Sequence, residues 1–240
     1  MQLVESEAVF PRVFGFPSID STNLELERIY QPQLPEFSAV IAAEQTAGKG
    51  RLGRSWQSAP ESSLSLSVLV RPRSASEQSW LTLVAGLSVA EALGELGVEA
   101  GIKWPNDVMV KEKKICGILA TGLVDAVILG VGVNLKRNSQ QLATAIALGE
   151  LGVDISLDSI AARIGLRLKA NIISFRSDCL AVMDRFRTRC ITLTQQVRAE
   201  FPDGTSKYGV ASEVNSHGQL VILTPEPLAL SAADVWHLRN

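Results

Sequence analysis

The chain has 240 residues, 46% of them hydrophobic, and a formal net charge of −2. This size and apolar content suit one large domain, or one domain with a small appendage, and the mixed charges argue against a surface that coats nucleic acid. Three cysteines without a C-x-x-C pair indicate neither a disulfide framework nor a zinc cluster, and no apolar run approaches the roughly 18 residues of a membrane span. We therefore expect a cytoplasmic protein that binds neither membrane nor nucleic acid.

The N-terminal part predicts a strand over residues 9–19 and a helix over residues 23–30. Thr22 and Glu25 have the spacing of a capping box at the start of that helix. The polar run Ser21, Thr22 and Asn23 has two interpretations, which are compatible. Its hydroxyls and amide either only cap the helix or also hold a polar ligand at the helix N-terminus.

A glycine-rich, cationic segment follows an apolar, strand-like run at residues 39–43. Glycine lets the backbone approach a ligand closely, and cations with free N–H groups favour an anion. Because several charges cannot be desolvated in a core, the segment should be a surface loop. Its spacing matches G-x-G-x-x-G, but a strand pattern over residues 62–70 follows instead of a helix, which excludes a dinucleotide fingerprint. A solvated basic hairpin loop is the alternative. The glycines are Gly48, Gly50 and Gly53, and the cations are Lys49, Arg51 and Arg54.

Further elements follow in order. A helix is expected over residues 76–96, and a tight turn within residues 101–107 brings Lys103, Asn106 and Asp107 together. A hairpin over residues 109–119 has its turn at 111–114, so Lys114 is either solvated or reaches over the sheet. The strand at residues 126–135 contains Gly130 and Gly132, which indicate close approach of a strand or ligand. A sheet edge at residues 125–135 could pair across a homodimer or be covered by helices.

The C-terminal third begins with helices over residues 157–172, capped by Ser156 or Asp158, and 177–189. From residue 191 onward, five short alternating runs predict a small β-module. The expected domains are therefore residues 1–189 and 190–240.

Five of these segments, in this order, resemble the biotin–protein ligase (biotin–[acetyl-CoA-carboxylase] ligase) family. They are Ser21-Thr-Asn23, Gln45 with the loop from Gly48 to Trp56, Lys103-Trp-Pro-Asn-Asp107, Lys114-Ile-Cys-Gly-Ile-Leu119 and Gly130-Val-Gly-Val-Asn134. The resemblance implies an α+β fold of the class II synthetase/biotin ligase type, a mixed β-sheet backed by helices, with a small SH3-like β-barrel C-terminal domain. It also implies an enzyme that makes biotinyl-5′-AMP from biotin and ATP and then biotinylates one lysine of a biotin carboxyl carrier protein.

The resemblance carries site residues over by position. Implied biotin contacts are Ser21, Thr22, Asn23, Gln45, Lys49, Gly50, Arg51, Trp56, Lys114 and Gly117. Implied ATP and phosphate contacts are Gly48, Arg54, Lys103, Asn106, Asp107 and Asn134, with Leu142 and Ile146 standing in for an aromatic residue against adenine. Lys114, Arg51 and Asp107 are the expected catalytic residues, and Asp107 is the expected Mg²⁺ ligand. Only 20 residues precede Ser21, so no winged helix-turn-helix is expected and the chain is interpreted as a ligase alone.

The residue types suit this chemistry. A carboxylate is already ionised at neutral pH, so its attack on the α-phosphorus of ATP needs no base but needs cations that offset the repulsion of two anions. The acceptor lysine must lose a proton, and Asp107 is the candidate that orients or accepts it. Glycine should let the loop at 48–56 order over its ligands. A lipoate–protein ligase and a non-catalytic biotin- or nucleotide-binding protein remain alternatives.

Overall fold

A computed structural model describes residues 1–56, 59–138, 141–201, 203–231 and 234–238. Within them the chain forms five α-helices and two β-sheets. The helices are α1 (Val4–Val9), α2 (Thr22–Arg28), α3 (Ala75–Gly94), α4 (Leu157–Ser177) and α5 (Cys179–Arg189). The strands of the first sheet are β1 (Val13–Phe16), β2 (Ala39–Ala42), β3 (Ser63–Val70), β4 (Gly101–Lys103), β5 (Asp107–Val110), β6 (Lys113–Gly122) and β7 (Val127–Asn134). Those of the second are β8 (Gln196–Glu200), β9 (Ser206–Val214), β10 (Leu220–Leu223), β11 (Pro227–Leu230) and β12 (Asp234–His237).

The first sheet is mixed, with the order β1-β2-β3-β7-β6-β5-β4. Its first pair is parallel and the other pairs are antiparallel. The alternation along β3 sends Leu64, Leu66 and Val68 into the main core with α3 and α4, while the intervening serines lie on the other face. One face of the sheet therefore packs in the main core, while the other carries the serines and, at Val40, Leu69 and Ile128, a smaller apolar cluster under α2.

Helix α3 begins where its sequence supplies a cap. The Ser74 hydroxyl accepts the Glu77 N–H at 3.0 Å, and the Glu77 carboxylate accepts the Arg73 N–H at 2.8 Å. This cap satisfies amide groups that the first helical turn leaves without partners. The side chains of Trp80, Leu83 and Leu87 are then buried between the sheet and the other helices.

The second sheet is antiparallel, with the order β11-β10-β9-β8-β12, and it is joined to the first part of the chain by specific contacts. Two buried indoles donate to its β9–β10 turn: Trp80 to the Ser216 carbonyl and Trp104 to the Gly218 carbonyl, each at 3.0 Å. The Ile191 N–H donates to the Ile102 carbonyl at the same distance. The predicted fold class, a mixed sheet with helices and a C-terminal β-domain, is confirmed.

The N-terminal prediction is wrong in its extent. The strand covers only Val13–Phe16, and residues Val4–Val9, with the beginning of the predicted strand, form helix α1. The backbone N–H groups of Glu5 and Ser6 in α1 donate to the Asp158 carboxylate on α4, at 2.8 and 2.9 Å. A partner more than 150 residues away thus stabilises a helix that the local pattern does not reveal.

Three other local predictions need correction. The N-cap of α2 is Ser21, whose hydroxyl accepts the Leu24 N–H, and not Thr22. The turn of the β5–β6 hairpin consists of Lys111 and Glu112 alone, both at positive φ, so Lys114 lies inside β6. The strand predicted as a sheet edge is β7, which lies between β3 and β6, and its N–H and C=O groups are used on both sides. Within the described residues, no helix is both long and apolar enough to cross a membrane.

Candidate active site

The polar face of the first sheet is the floor of a cavity of about 1400 Å³. Its walls are the N-terminus of α2, the glycine-rich loop, the segment after β7 and strand β12 of the second sheet. Sites for one small ligand usually measure about 300–1,000 Å³, so this cavity has room for two. Apart from Gly48 and Ile146, every predicted site residue lines it, namely Ser21, Thr22, Asn23, Gln45, Lys49, Gly50, Arg51, Arg54, Trp56, Lys103, Asn106, Asp107, Lys114, Gly117, Asn134 and Leu142.

A strip of glycines makes the floor flat. Strand register places Ser65, Gly132, Gly117 and Asp107 in one row across the sheet, on the same face. The Trp56 indole rests on this strip. A Cβ at Gly132 would lie 2.5 Å from the indole ring, and one at Gly117 would lie 3.0 Å from it. The floor therefore needs glycine at these positions to accept a flat group.

Polar groups at the N-terminus of α2 are held by neighbouring side chains. The Thr22 backbone N–H and hydroxyl both donate to Gln45 Oε1, at 2.8 and 3.1 Å. The Asn23 amide donates to the Thr121 hydroxyl at 3.0 Å and accepts from the Ser67 hydroxyl at 2.6 Å. Because these bonds fix the side chains before any ligand arrives, this end of the cavity is preorganised for a polar, uncharged group.

Cations gather at the opposite end, around the turn between β4 and β5. Lys114 Nζ lies 2.6 Å from Asp107 Oδ1 and 5.7 Å from the centre of the Trp56 indole. Arg51 donates to Asn106 Oδ1 at 3.2 Å, which joins the glycine-rich loop to that turn. Lys103 Nζ lies 5.6 Å from the Trp236 ring centre. The cluster is suited to an anion with several negative charges.

Burial changes the acid–base properties of two of these cations. Desolvation lowers the pKa of Lys103, the nearby charge of Lys114 lowers it further, and Asp107 opposes the shift. Desolvation also lowers the pKa of Arg51, although a guanidinium remains protonated at any ordinary pH. Lys103 is therefore the cation whose charge is more sensitive to alkaline pH.

The glycine-rich loop is closed on itself by backbone hydrogen bonds. The Gly50 N–H donates to the Arg54 carbonyl at 2.7 Å, and the Trp56 N–H donates to the Gly48 carbonyl at 2.8 Å. Gly53 has a φ of 73°, which explains its glycine. Gly48 does not line the cavity. A Cβ there would lie 2.6 Å from the Trp56 carbonyl, so Gly48 is needed for packing within the loop.

The segment after β7 borders the cavity only in part. Asn134 Nδ2 donates to the carbonyls of Lys114 and Ile146, at 3.3 and 3.1 Å, and so connects this segment to β6. Leu142 lines the cavity and is exposed, whereas Ile146 is buried in the core and is not available to a ligand. Of the predicted adenine cover at 136–150, residues 139 and 140 lie outside the described residues.

Among the cavity residues that sequence reasoning missed, four have polar or aromatic side chains that bear on ligand binding, namely Ser65, Gln141, Asp234 and Trp236. Asp234 forms ion pairs with Arg54 and, at 3.9 Å, with Arg51, and Trp236 contacts Lys103. The Ser65 hydroxyl and both side-chain polar atoms of Gln141 are buried and have no hydrogen-bond partner among the described residues. Asp234 and Trp236 reach the cavity because the second sheet packs against it. No local sequence motif predicts that packing. Ser65 was detectable in principle, as a serine in an apolar strand.

The described residues contain no group of three or more His, Cys, Asp or Glu side chains that could hold a metal ion. Carboxylates at the cationic cluster include Asp107, whose Oδ1 lies 2.6 Å from Lys114 Nζ, and Asp234, which pairs with Arg51 and Arg54. Asn106 Oδ1 accepts from Arg51. These donors suit a divalent ion that is bound mainly by a ligand's own phosphates, not one held in a protein cage.

Comparison with known proteins agrees with this geometry. The model of the biotin/lipoate A/B protein ligase family matches residues 15–138. The chain is 36% identical over 209 residues to the biotin–[acetyl-CoA-carboxylase] ligase of Mycobacterium tuberculosis, covering 83% of this chain and 79% of that one. It is 29% identical to the bifunctional ligase/repressor BirA of Escherichia coli, covering 92% and 74%. The biotin protein ligase of Aquifex aeolicus in complex with biotin and ATP superimposes with a TM-score of 0.83 at 27% identity, over 96% of this chain and 100% of that one.

Proposed function

Because the chain belongs to the biotin/lipoate A/B protein ligase family, we propose that it is an ATP-dependent biotin–[acetyl-CoA-carboxylase] ligase. The observation that carries this function is the meeting of the predicted segments around one cavity that has both a preorganised polar end and a cationic end. The substrates are biotin and ATP, and the acceptor is a lysine of a biotin carboxyl carrier protein. The three cysteines are free thiols, which suits a reducing cytoplasm.

In the first reaction a biotin carboxylate oxygen attacks the α-phosphorus of ATP. The new P–O bond forms as the bond to the β-phosphate oxygen breaks, and pyrophosphate leaves. Lys114 and Lys103 stabilise the charge that accumulates on the phosphoryl oxygens, and Arg51 and Arg54 hold the polyphosphate. The ring end of biotin lies toward Thr22 and Gln45, so its carboxylate is directed toward Lys114.

In the second reaction the amine of the acceptor lysine attacks the carbonyl carbon of the mixed anhydride. The C–N bond forms, the C–O bond to phosphorus breaks and AMP leaves. The amine has an ordinary pKa of about 10.4, so it must lose a proton as it attacks. Asp107 is the carboxylate beside Lys114 and is our candidate for orienting or accepting that proton.

Mg²⁺ enters with ATP in this proposal. The phosphate oxygens would supply most of its ligands, and the Asp107 carboxylate would complete its coordination. When bound, the ion neutralises charge on the departing pyrophosphate. The glycine-rich loop then covers the anhydride and excludes water, and its Arg51–Asn106 contact already bridges the cavity at that point.

A lipoate–protein ligase is the second candidate, because the matching family includes lipoate ligases. The identity to a biotin ligase over most of the chain favours biotin. A homodimer stays a prediction; the edges of the seven-stranded sheet are β1 and β4.

The function is tested by incubation of the protein with labelled biotin, ATP, Mg²⁺ and a biotin carboxyl carrier domain. We expect covalent label on one lysine of the carrier and none when ATP is omitted. Transfer of lipoate in preference to biotin would establish the lipoate alternative. Tight biotin binding without any ATP-dependent label would show a binding protein instead.

A further inference from the structure

We propose that Gln141 recognises the base of ATP, with its carboxamide bonded to the 6-amino group and an adjacent ring nitrogen of adenine. The inference rests on the proposed function, because it assigns a residue to one of the two substrates. It makes Gln141 a specificity-determining residue that takes no part in the chemical step.

The carboxamide of Gln141 is buried at the cavity wall. Neither Oε1 nor Nε2 has a hydrogen-bond partner among the described residues, although both atoms are shielded from solvent. Buried polar groups in folded proteins almost always have partners, because water would otherwise bind them. A side chain that keeps one donor and one acceptor unused in a cavity is complementary to a ligand that offers one of each.

The surrounding wall has the character of a nucleobase site. Residues 141–146 include no charged side chain, and Leu142, Thr144 and Ala145 line the cavity with Gln141. Apolar surface of this kind suits the face of a flat heterocycle, whereas phosphates need the cations farther along the floor.

The position of this wall relative to those cations is fixed by backbone hydrogen bonds. The Lys114 N–H donates to the Thr144 carbonyl at 2.9 Å, and the Ile146 N–H donates to the Lys114 carbonyl at 3.0 Å. The wall therefore begins beside the strand that carries the ammonium group of Lys114. A nucleotide can place its phosphates at the cationic cluster and its base against Gln141.

Adenine offers the pattern that this carboxamide needs. Its 6-amino group donates and its neighbouring ring nitrogen accepts, and glutamine pairs with both at once. The ureido group of biotin also has donors and an acceptor, so it is the rival occupant. We assign the ureido group to the other end of the cavity, where the carboxamide of Gln45 accepts the Thr22 N–H at the start of α2.

The test compares ATP with purine riboside triphosphate, which lacks the 6-amino group, in biotin-dependent pyrophosphate release. Wild-type protein should prefer ATP at least about tenfold in kcat/KM. Gln141→Leu should lose most of that preference by raising the KM for ATP, with kcat and the KM for biotin unchanged. Gln141→Glu keeps a hydrogen-bond acceptor and removes the donor. It should raise the KM for ATP but still give a higher kcat/KM with ATP than with purine riboside triphosphate.

Gln195→Leu is the matched control, because Gln195 lines the same cavity on the side of the second sheet. It should keep the wild-type preference. If Gln141→Leu also kept it, or if its defect fell on the KM for biotin, the assignment of Gln141 would be overturned while the proposed function stood. A wild-type protein that released no pyrophosphate with biotin would overturn the proposed function, and this assignment with it.

Discussion

In the proposed reaction, Lys114 lies where the carboxylate of biotin meets the α-phosphate of ATP. Its ammonium is held by the Asp107 carboxylate at 2.6 Å and lies near the Trp56 ring, so it is positioned without being deeply buried. An ammonium fixed in this way interacts more strongly with a crowded transition state than with either separate substrate. At the scale of single residues, the rate of catalysis should therefore depend more on the position of the Lys114 ammonium than on the number of cations in the cavity.

Lys114→Met should slow adenylate formation about 100- to 1,000-fold, the usual effect of removing one preorganised group that stabilises the transition state. The rate is measured in a single turnover with biotin and ATP. Lys113→Met is the matched control, because Lys113 is the neighbouring residue of β6 and is exposed outside the cavity. Equal rates for the two variants would remove Lys114 from the mechanism.

Lys103 gives the site a dependence on pH. Burial lowers its pKa, so Lys103 is charged below that lowered value and neutral above it. Phosphate binding should therefore weaken as pH rises, and the loss should begin at a lower pH than it would for a free lysine, whose pKa is about 10.4. The Kd for ATP, measured by calorimetry between pH 7 and 10, should rise more steeply in wild type than in Lys103→Arg, because a guanidinium does not titrate in this range. The same pH profile in both proteins would contradict this assignment.

At the scale of elements, strands β3, β7, β6 and β5 together form the flat floor of the cavity. The sheet register alone brings Ser65, Gly132, Gly117 and Asp107 into line. Gly130 extends this floor, since a Cβ there would lie 2.4 Å from the Asn23 side chain. The glycines of β7 therefore admit the groups that pack on this face.

Gly132→Ala should weaken biotin binding about tenfold or more, because its methyl group enters the space of the Trp56 ring and such overpacking costs about 1–3 kcal/mol. Calorimetric titration with biotin measures the effect. Gly122→Ala is the control, since nothing lies within 4 Å of a Cβ at that end of β6. Unchanged affinity in Gly132→Ala would show that the glycine strip does not carry the ligand.

The sequence predicted the helices, strands and loops themselves better than the partners against which they pack. Helix α3, the β5–β6 hairpin and the glycine-rich loop follow from periodicity, turn residues and charge, and they lie close to where they were expected. Helix α1 was missed because its partner, Asp158, is remote in sequence. The central place of β7 was missed because the order of strands in a sheet is not encoded by the strand pattern. The site residues were assigned through the family resemblance, and Asp234 stayed hidden because it belongs to a separate sheet.

At the scale of the whole molecule, the second sheet completes the cavity. Its last strand, β12, places Asp234 against Arg51 and Arg54, so the C-terminal sheet contacts the same loop that is proposed to cover the ligands. If those guanidinium groups hold the polyphosphate of ATP as proposed, the polyphosphate competes with Asp234 for them. We therefore expect the C-terminal sheet to hold the loop in the unliganded protein and to release it when the nucleotide binds.

Asp234→Asn should loosen the loop. Because Arg54 is exposed, its ion pair contributes at most about 1 kcal/mol, so trypsin should cleave after Arg51 or Arg54 up to about fivefold faster. Cleavage is followed by mass spectrometry in the absence of ligand. Asp203→Asn, in a turn of the same sheet, is the control and should be cleaved at the wild-type rate. A loop equally resistant in both variants would mean that Asp234 does not restrain it.

The central claim is that one cavity joins the carboxylate of biotin to the α-phosphorus of ATP under a set of fixed cations. Exchange of labelled pyrophosphate into ATP, without any carrier protein, measures that step alone. The account predicts exchange that requires biotin and is not supported by lipoate. Exchange that proceeds equally without biotin, or none when biotin and ATP are both bound, would contradict it.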